Sequence, residues 1–132
     1  MPGETDLSTL LAALRPVRRA GEVVFVSHGP GRVPPAEGAL ATVVEDEGTT
    51  WVVPRSVADE HGWAYDLVLA WITLEVRSSL AAVGLTAAVS AALTAEGISA
   101  NVLAGFHHDH LLVPLERADD ALAALQRLST SG

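Results

Sequence analysis

Two stretches of this sequence repeat one another at a fixed distance. Val52–Glu60 (VVPRSVADE) overlies Leu112–Asp120 (LVPLERADD) at an offset of 60 residues, matching an apolar pair, a proline and an Ala-Asp step. Val43 and Leu103 fall at the same offset in the apolar runs just before. Further upstream, Val23–Ser27 (VVFVS) lines up with Ile72–Val76 (ITLEV) at an offset of 49. The two offsets differ by 11 residues, about one helix of three turns, and Leu85–Glu96 supplies that helix in the second half only. The chain therefore reads as two copies of one supersecondary unit.

Within each copy the punctuation gives the elements. Leu7, Leu10, Leu11 and Leu14 recur at helical spacing, with Thr5 or Asp6 as cap and Pro16 as stop. Strands are expected over 22–27, 40–45 and 49–53, the last two joined by Asp46-Glu47-Gly48, while HGPGRVPP from His28 can only be loop. Pro54 opens a short helix that Gly62 ends, and Tyr65–Ala70 reads as a strand running into Trp71–Val76. In the second half Leu85, Val89, Ala92 and Leu93 form a helical face stopped by Gly97. Strands follow over 98–104 and 110–113, then a helix on Ala118, Leu122, Leu125 and Leu128, with Asp119 and Asp120 at its positive end. Each copy is thus a β-α-β-β-α-β unit, the first having lost its first helix to the Gly/Pro loop. The expected organisation is an N-terminal helix and connector (1–21), a degenerate unit (22–70), a full unit (71–129) and a tail (130–132). The second unit lacks a closing strand after its last helix, which leaves an expected open sheet edge for a second copy to cover.

Composition narrows the partners. A chain of 132 residues, 49% apolar, can bury a core. It contains no cysteine, which removes disulfides, thiolate metal sites and a cysteine nucleophile. Sixteen acidic residues against eight arginines give a net charge of −8, a field that opposes docking on nucleic acid or anionic lipid. The N-terminus is acidic before it is apolar, unlike a secretory signal, and no apolar run is long enough to span a membrane. A cytoplasmic protein is expected.

The segment Val83–Pro114 (VGLTAAVSAALTAEGISANVLAGFHHDHLLVP) resembles an ACT domain, with a glycine at the strand-to-helix handover, a three-turn helix and a Gly-Ile-Ser strand entry. From about Glu22 to Leu128 the chain is similar to the small tandem ACT proteins of bacteria. The stretch HDHLLVP also resembles the last ACT unit of the CASTOR amino-acid sensors. The resemblance implies an α+β fold of two packed ferredoxin-like units. It also implies a non-enzymatic regulatory module that senses an amino acid or similar effector between its units, without a cofactor. Output would pass through a protein target or a change in oligomeric state, with a homodimer expected.

An amino acid needs donors for its carboxylate and an acceptor for its ammonium. The start of the helix at Val83, Gly84 and Leu85 offers unpaired backbone N–H groups, and Gly84 lets a ligand approach them. Asp109 can take the ammonium in a charge-assisted bond, and aligns with an aspartate that the CASTOR resemblance implies as a ligand contact. Ser78, Ser79, Gly105, Phe106 and His108 would line the rest. His107 and His108 depart from the CASTOR pattern, so arginine specificity does not carry over.

Each candidate has a plainer reading. Gly84 serves packing in any strand-to-helix turn, and Asp109 suits an Asx-type turn. The run His107-His108-Asp109-His110 places His108 and His110 on one strand face, and with His28 or His61 could hold zinc for a hydrolase. No further ligand stands at helical spacing to complete a metal motif, and hydrogen-bonded histidines at a hairpin end are commoner, so no metal site is assigned. Ser78 and Ser79 lack a nucleophile elbow, and no catalytic residue is assigned. The glycines of Ser27–Arg32 lack the Lys-Ser/Thr ending of a phosphate loop. A protein-interaction module with a vestigial pocket is the remaining alternative.

Overall fold

A computed structural model describes residues 6–30, 38–76 and 84–131. In chain order its elements are α1 (Leu7–Ala13), β1 (Arg15–Arg18), β2 (Val23–His28), β3 (Ala41–Val44), β4 (Thr49–Pro54), α2 (Arg55–His61), β5 (Leu69–Glu75), α3 (Leu85–Ala95), β6 (Asn101–Ala104), β7 (Asp109–Pro114), a 3-10 turn (Leu115–Arg117) and α4 (Ala118–Ser131). Strands β3 and β6, and β4 and β7, are displaced by the 60 residues that the repeat requires. The chain divides into two compact units, an outer one of residues 1–19 and 70–132 and an inserted one of 20–69.

In the outer unit the strands run in the order β1-β5-β7-β6. β6 and β7 form an antiparallel hairpin, with Ala104 opposite Asp109 and Asn101 opposite Leu112. Alternation sends Ala70, Ile72, Leu74 and Val76 of the β5 segment, with Leu111 and Val113 of β7, into one apolar cluster. Leu85, Val89 and Leu93 of α3, spaced at i, i+4 and i+8, meet them there, together with Ala118, Ala121 and Leu125 of α4. Gly97, at φ +70°, ends the α3 turn, and Ile98 N–H donates to Leu93.

The position of the closing strand differs from the sequence expectation. β1 pairs antiparallel with β5, from Arg15 opposite Glu75 to Arg18 opposite Ile72. The edge beside β5 is therefore filled by the N-terminal segment rather than left open after the last helix. Leu10 and Leu14 of the same segment lie in the outer cluster, Arg18 pairs with Asp119 at 3.2 Å, and Ser129 Oγ donates to Leu14 O at 2.9 Å. Pro16 reads as a breaker in a single sequence, but a proline is tolerated in an edge strand, where its missing N–H costs no ladder bond.

In the inserted unit β4 lies between β2 and β3, both antiparallel to it, and Val23 also pairs with Leu69. Val24, Val26, Trp51, Val53 and Ala58 form its buried cluster, with Val57, Trp63, Tyr65 and Val68 packed around it. Gly48 is required in the β3–β4 turn, because a Cβ there would collide with the His28 carbonyl oxygen. The expected strand over 65–68 is absent, and β5 starts only at Leu69. Side-chain bonds hold that stretch instead, with Tyr65 donating to Asp59 at 2.7 Å and Arg55 Nε donating to Tyr65 at 3.0 Å. The loop expected in place of a first helix falls largely on residues 31–37, outside the described residues; the flanking residues 29–30 and 38–40 are non-helical.

Candidate functional site

A cleft of about 450 Å3 opens within the outer unit. Its walls follow from how the N-terminal segment folds. Asp6 caps α1 by accepting from the Thr9 amide at 3.3 Å and the Thr9 hydroxyl at 2.7 Å. Leu14 then turns extended, so the chain enters β1 at once. That tight passage places Thr9, Leu10 and Ala13 of α1 beside Arg15 at the head of β1. Glu75 and Val76, at the end of β5, form the facing wall, and His108 enters from the β6–β7 turn. The volume lies in the range of small-molecule sites, about 300–1,000 Å3.

The polar groups of this cleft are underused. Arg15 and Glu75 are directly opposed in the β1–β5 ladder, so both side chains leave the same face of the sheet. Neither forms an ion pair with the other or with any described residue. His108 Nδ1 is buried and has no hydrogen-bond partner among the described residues. A buried ring nitrogen left without a partner costs about 1–3 kcal/mol. The hairpin that presents this ring is tight: Gly105 N–H donates to His108 O at 2.9 Å, and a Cβ on Gly105 would come within 2.7 Å of that oxygen.

Of the residues singled out in the sequence, His108 alone is among those lining the cleft. Gly84 caps α3 at φ +96°, and a Cβ on it would lie 3.3 Å from Leu7 Cδ2, so it accommodates α1. Leu85 is buried in the apolar cluster. Phe106 is 83% exposed and meets the His107 ring edge-on at 5.1 Å. Asp109 is half-buried opposite Ala104 in the hairpin. Ser78, Ser79 and Val83 lie outside the described residues. Sequence reasoning missed Arg15 and Glu75, whose only signal was opposite charge at the ends of two apolar runs.

The histidines fall into separate environments. His61 stacks on Trp63 at 4.4 Å between centroids, with Nδ1 bonded to Val57 O at 3.0 Å, and His28 packs 3.9 Å from Trp51. Among the described residues no three His, Asp or Glu side chains gather as a metal site. His110 belongs to a hydrogen-bonded group with Trp71 and Thr73. Trp71 Nε1–H donates to Thr73 Oγ1 at 3.1 Å and to His110 Nδ1 at 3.2 Å, while the Thr73 hydroxyl lies 3.0 Å from that nitrogen. An indole N–H only donates, so Nδ1 accepts and the ring proton sits on Nε2. Burial, then the neighbouring His108 and Arg19, push the His110 pKa below the ordinary histidine value, against the pull of Asp109.

This predicts a pH dependence of stability. The unfolded chain takes up a proton at His110 near pH 6.5, whereas the folded ring resists it to lower pH. The group's contribution is complete above about pH 6.5 and is lost as the pH falls towards the lowered folded value. Urea midpoints measured from pH 5 to 8 should fall on the acid side in the parent, and less steeply in His110→Gln. Equal slopes would show that His110 is not the group responsible.

The order β1-β5-β7-β6 around two connecting helices is that of a ferredoxin-like unit, the inserted unit repeats its hairpin and following helix, and the architecture is a tandem of regulatory modules. Two ACT-domain family models match the chain, one over residues 2–70 and the other over 68–127. The chain belongs to the ACT-domain family, whose members are regulatory small-molecule-binding modules. None of the curated proteins matches it. A crystal structure of a Vibrio cholerae protein of unknown function, described as a possible transport protein, is 38% identical, with 93% of this chain and 95% of that one covered and a TM-score of 0.82. The ligand-free regulatory subunit of aspartate kinase from Thermus thermophilus shares the fold at 11% identity and a TM-score of 0.61, with 88% and 98% of the two chains covered. Aspartokinase III of E. coli, in complex with aspartate and ADP, does so at 15% identity and 0.61, covering 96% of this chain and 34% of its own. No helix among the described residues is long and apolar enough to cross a membrane.

Proposed function

We propose that this protein is a non-enzymatic sensor of an amino acid, working in the cytoplasm as a homodimer. The observation that carries the reading is the outer-unit cleft, in which Arg15 and Glu75 stand opposed without pairing. A free α-amino acid carries one carboxylate and one ammonium a few ångströms apart, and such a pair of opposite, unengaged charges complements it. The C-terminal resemblance to CASTOR-type sensors and the regulatory role named for the aspartate kinase subunit support the same class of effector. Of the contacts expected from the sequence, His108 fits this cleft directly; Gly84 and Asp109 are retained as neighbours that shape it. β6 ends the outer unit's sheet, with Val102 37% and Phe106 83% exposed, and offers a second copy an edge through which occupancy is relayed.

A thermal-shift screen against the twenty amino acids tests the reading. A ligand present at about 100 times its Kd stabilises the fold by roughly 2.7 kcal/mol, which for a domain of this size is several degrees. At least one amino acid should raise the midpoint by that amount, with light scattering reporting a dimer. Flat curves across the panel would instead favour an interaction module with a vestigial pocket.

A further inference from the structure

The cleft is not uniformly polar, and its division is informative. Arg15 and Glu75 emerge from one face of the β1–β5 ladder, while Leu10, Ala13 and Val76 supply apolar surface in the same cleft. Leu10 and Val76 are fixed by the outer cluster, so this surface is rigid; Ala13 is exposed and small, which leaves room rather than filling it. His108 adds the one buried ring nitrogen in the cleft that lacks a partner. No acidic or basic side chain other than Arg15, Glu75 and His108 lines the cleft, so a ligand whose own side chain is charged finds no second counter-ion there.

We propose that the cleft selects α-amino acids with an apolar side chain of about leucine size: Arg15 and His108 hold the carboxylate, Glu75 holds the ammonium, and Leu10, Ala13 and Val76 receive the side chain. This rests on the amino-acid-sensing reading and narrows it. A guanidinium matches both oxygens of a carboxylate, and the His108 ring donates to the same group as its Nδ1–H tautomer. Lysine and aspartate are rejected because each would carry an unpaired charge onto apolar surface. Every wall belongs to the outer unit of one chain, so recognition is complete without residues from elsewhere.

Titration calorimetry on the full chain separates the parts, with leucine, methionine, lysine, aspartate, isopentylamine and 4-methylpentanoate as probes. Leucine and methionine should bind, whereas the amine without a carboxylate and the acid without an amine should not. Arg15→Gln and Glu75→Gln should each weaken leucine binding about tenfold to hundredfold, the loss expected for one charge-assisted bond. Ala13→Phe, at an exposed position, should fill the cleft and abolish binding while leaving the ligand-free melting temperature unchanged. Preference for lysine or aspartate, or leucine binding that survives both Arg15→Gln and Ala13→Phe, would overturn this assignment and leave the amino-acid reading standing. Failure of all twenty amino acids to bind would remove both.

Discussion

Leu10→Ala is expected to lower the unfolding free energy by about 2–5 kcal/mol, the range for deleting a fully buried leucine side chain. Leu10 is 0% exposed although it lies on a seven-residue helix near the N-terminus, a setting in which a terminal residue is usually frayed. Its burial follows from β1: once Arg15–Arg18 is paired with β5, α1 has no choice but to lie over the outer cluster against Leu14, Val76 and their neighbours. A seven-residue helix is too short to persist on its own, so the tertiary contacts hold it. Chemical denaturation followed by helix signal measures the loss. A cost below about 0.5 kcal/mol would mean that the N-terminal segment is not integral to the outer unit.

Trp51→Ala should have a comparable effect in the inserted unit, about 3–5 kcal/mol, since Trp51 is 2% exposed and is the largest residue of that cluster. The conservative variant is the more informative. The Trp51 Nε1–H is buried with no hydrogen-bond partner among the described residues, a defect worth about 1–3 kcal/mol. Phenylalanine removes that orphan donor while keeping a ring against His28 and against Trp63, 5.4 Å away. Trp51→Phe is therefore expected to cost less than half as much as Trp51→Ala. Equal losses would show that the indole nitrogen contributes rather than detracts.

The repeat made the hairpins legible, because strands β3, β4, β6 and β7 carry their apolar residues at the spacing a strand needs and the proline after each hairpin marks its end. Two elements were not legible. Arg15-Pro16-Val17-Arg18 has neither alternation nor β-branched density, and becomes a strand only because β5 offers it an edge. Trp63–Val68 has strand composition but is tied into an irregular path by Arg55, Asp59 and Tyr65. The cleft was hidden for a related reason. Arg15 and Glu75 are 60 residues apart, and nothing local to either reports that they face one another; their register is set by the pairing of two strands from opposite ends of the outer unit. His108 was singled out as part of a histidine run, yet what distinguishes it is an unpartnered nitrogen, which no sequence displays.

The pairing of β1 with β5 also dictates a schedule. Residues 20–69 hold their own partners and can settle as soon as they leave the ribosome. Residues 7–18 cannot: their strand waits for Leu69–Glu75, and their leucines wait for α4. At roughly 5–20 residues per second, translation leaves that leucine-rich segment uncovered for several seconds or more while its partners are still being made. The greasy leading end of the nascent polypeptide is where a chaperone would engage it, and where an early-stop fragment would aggregate.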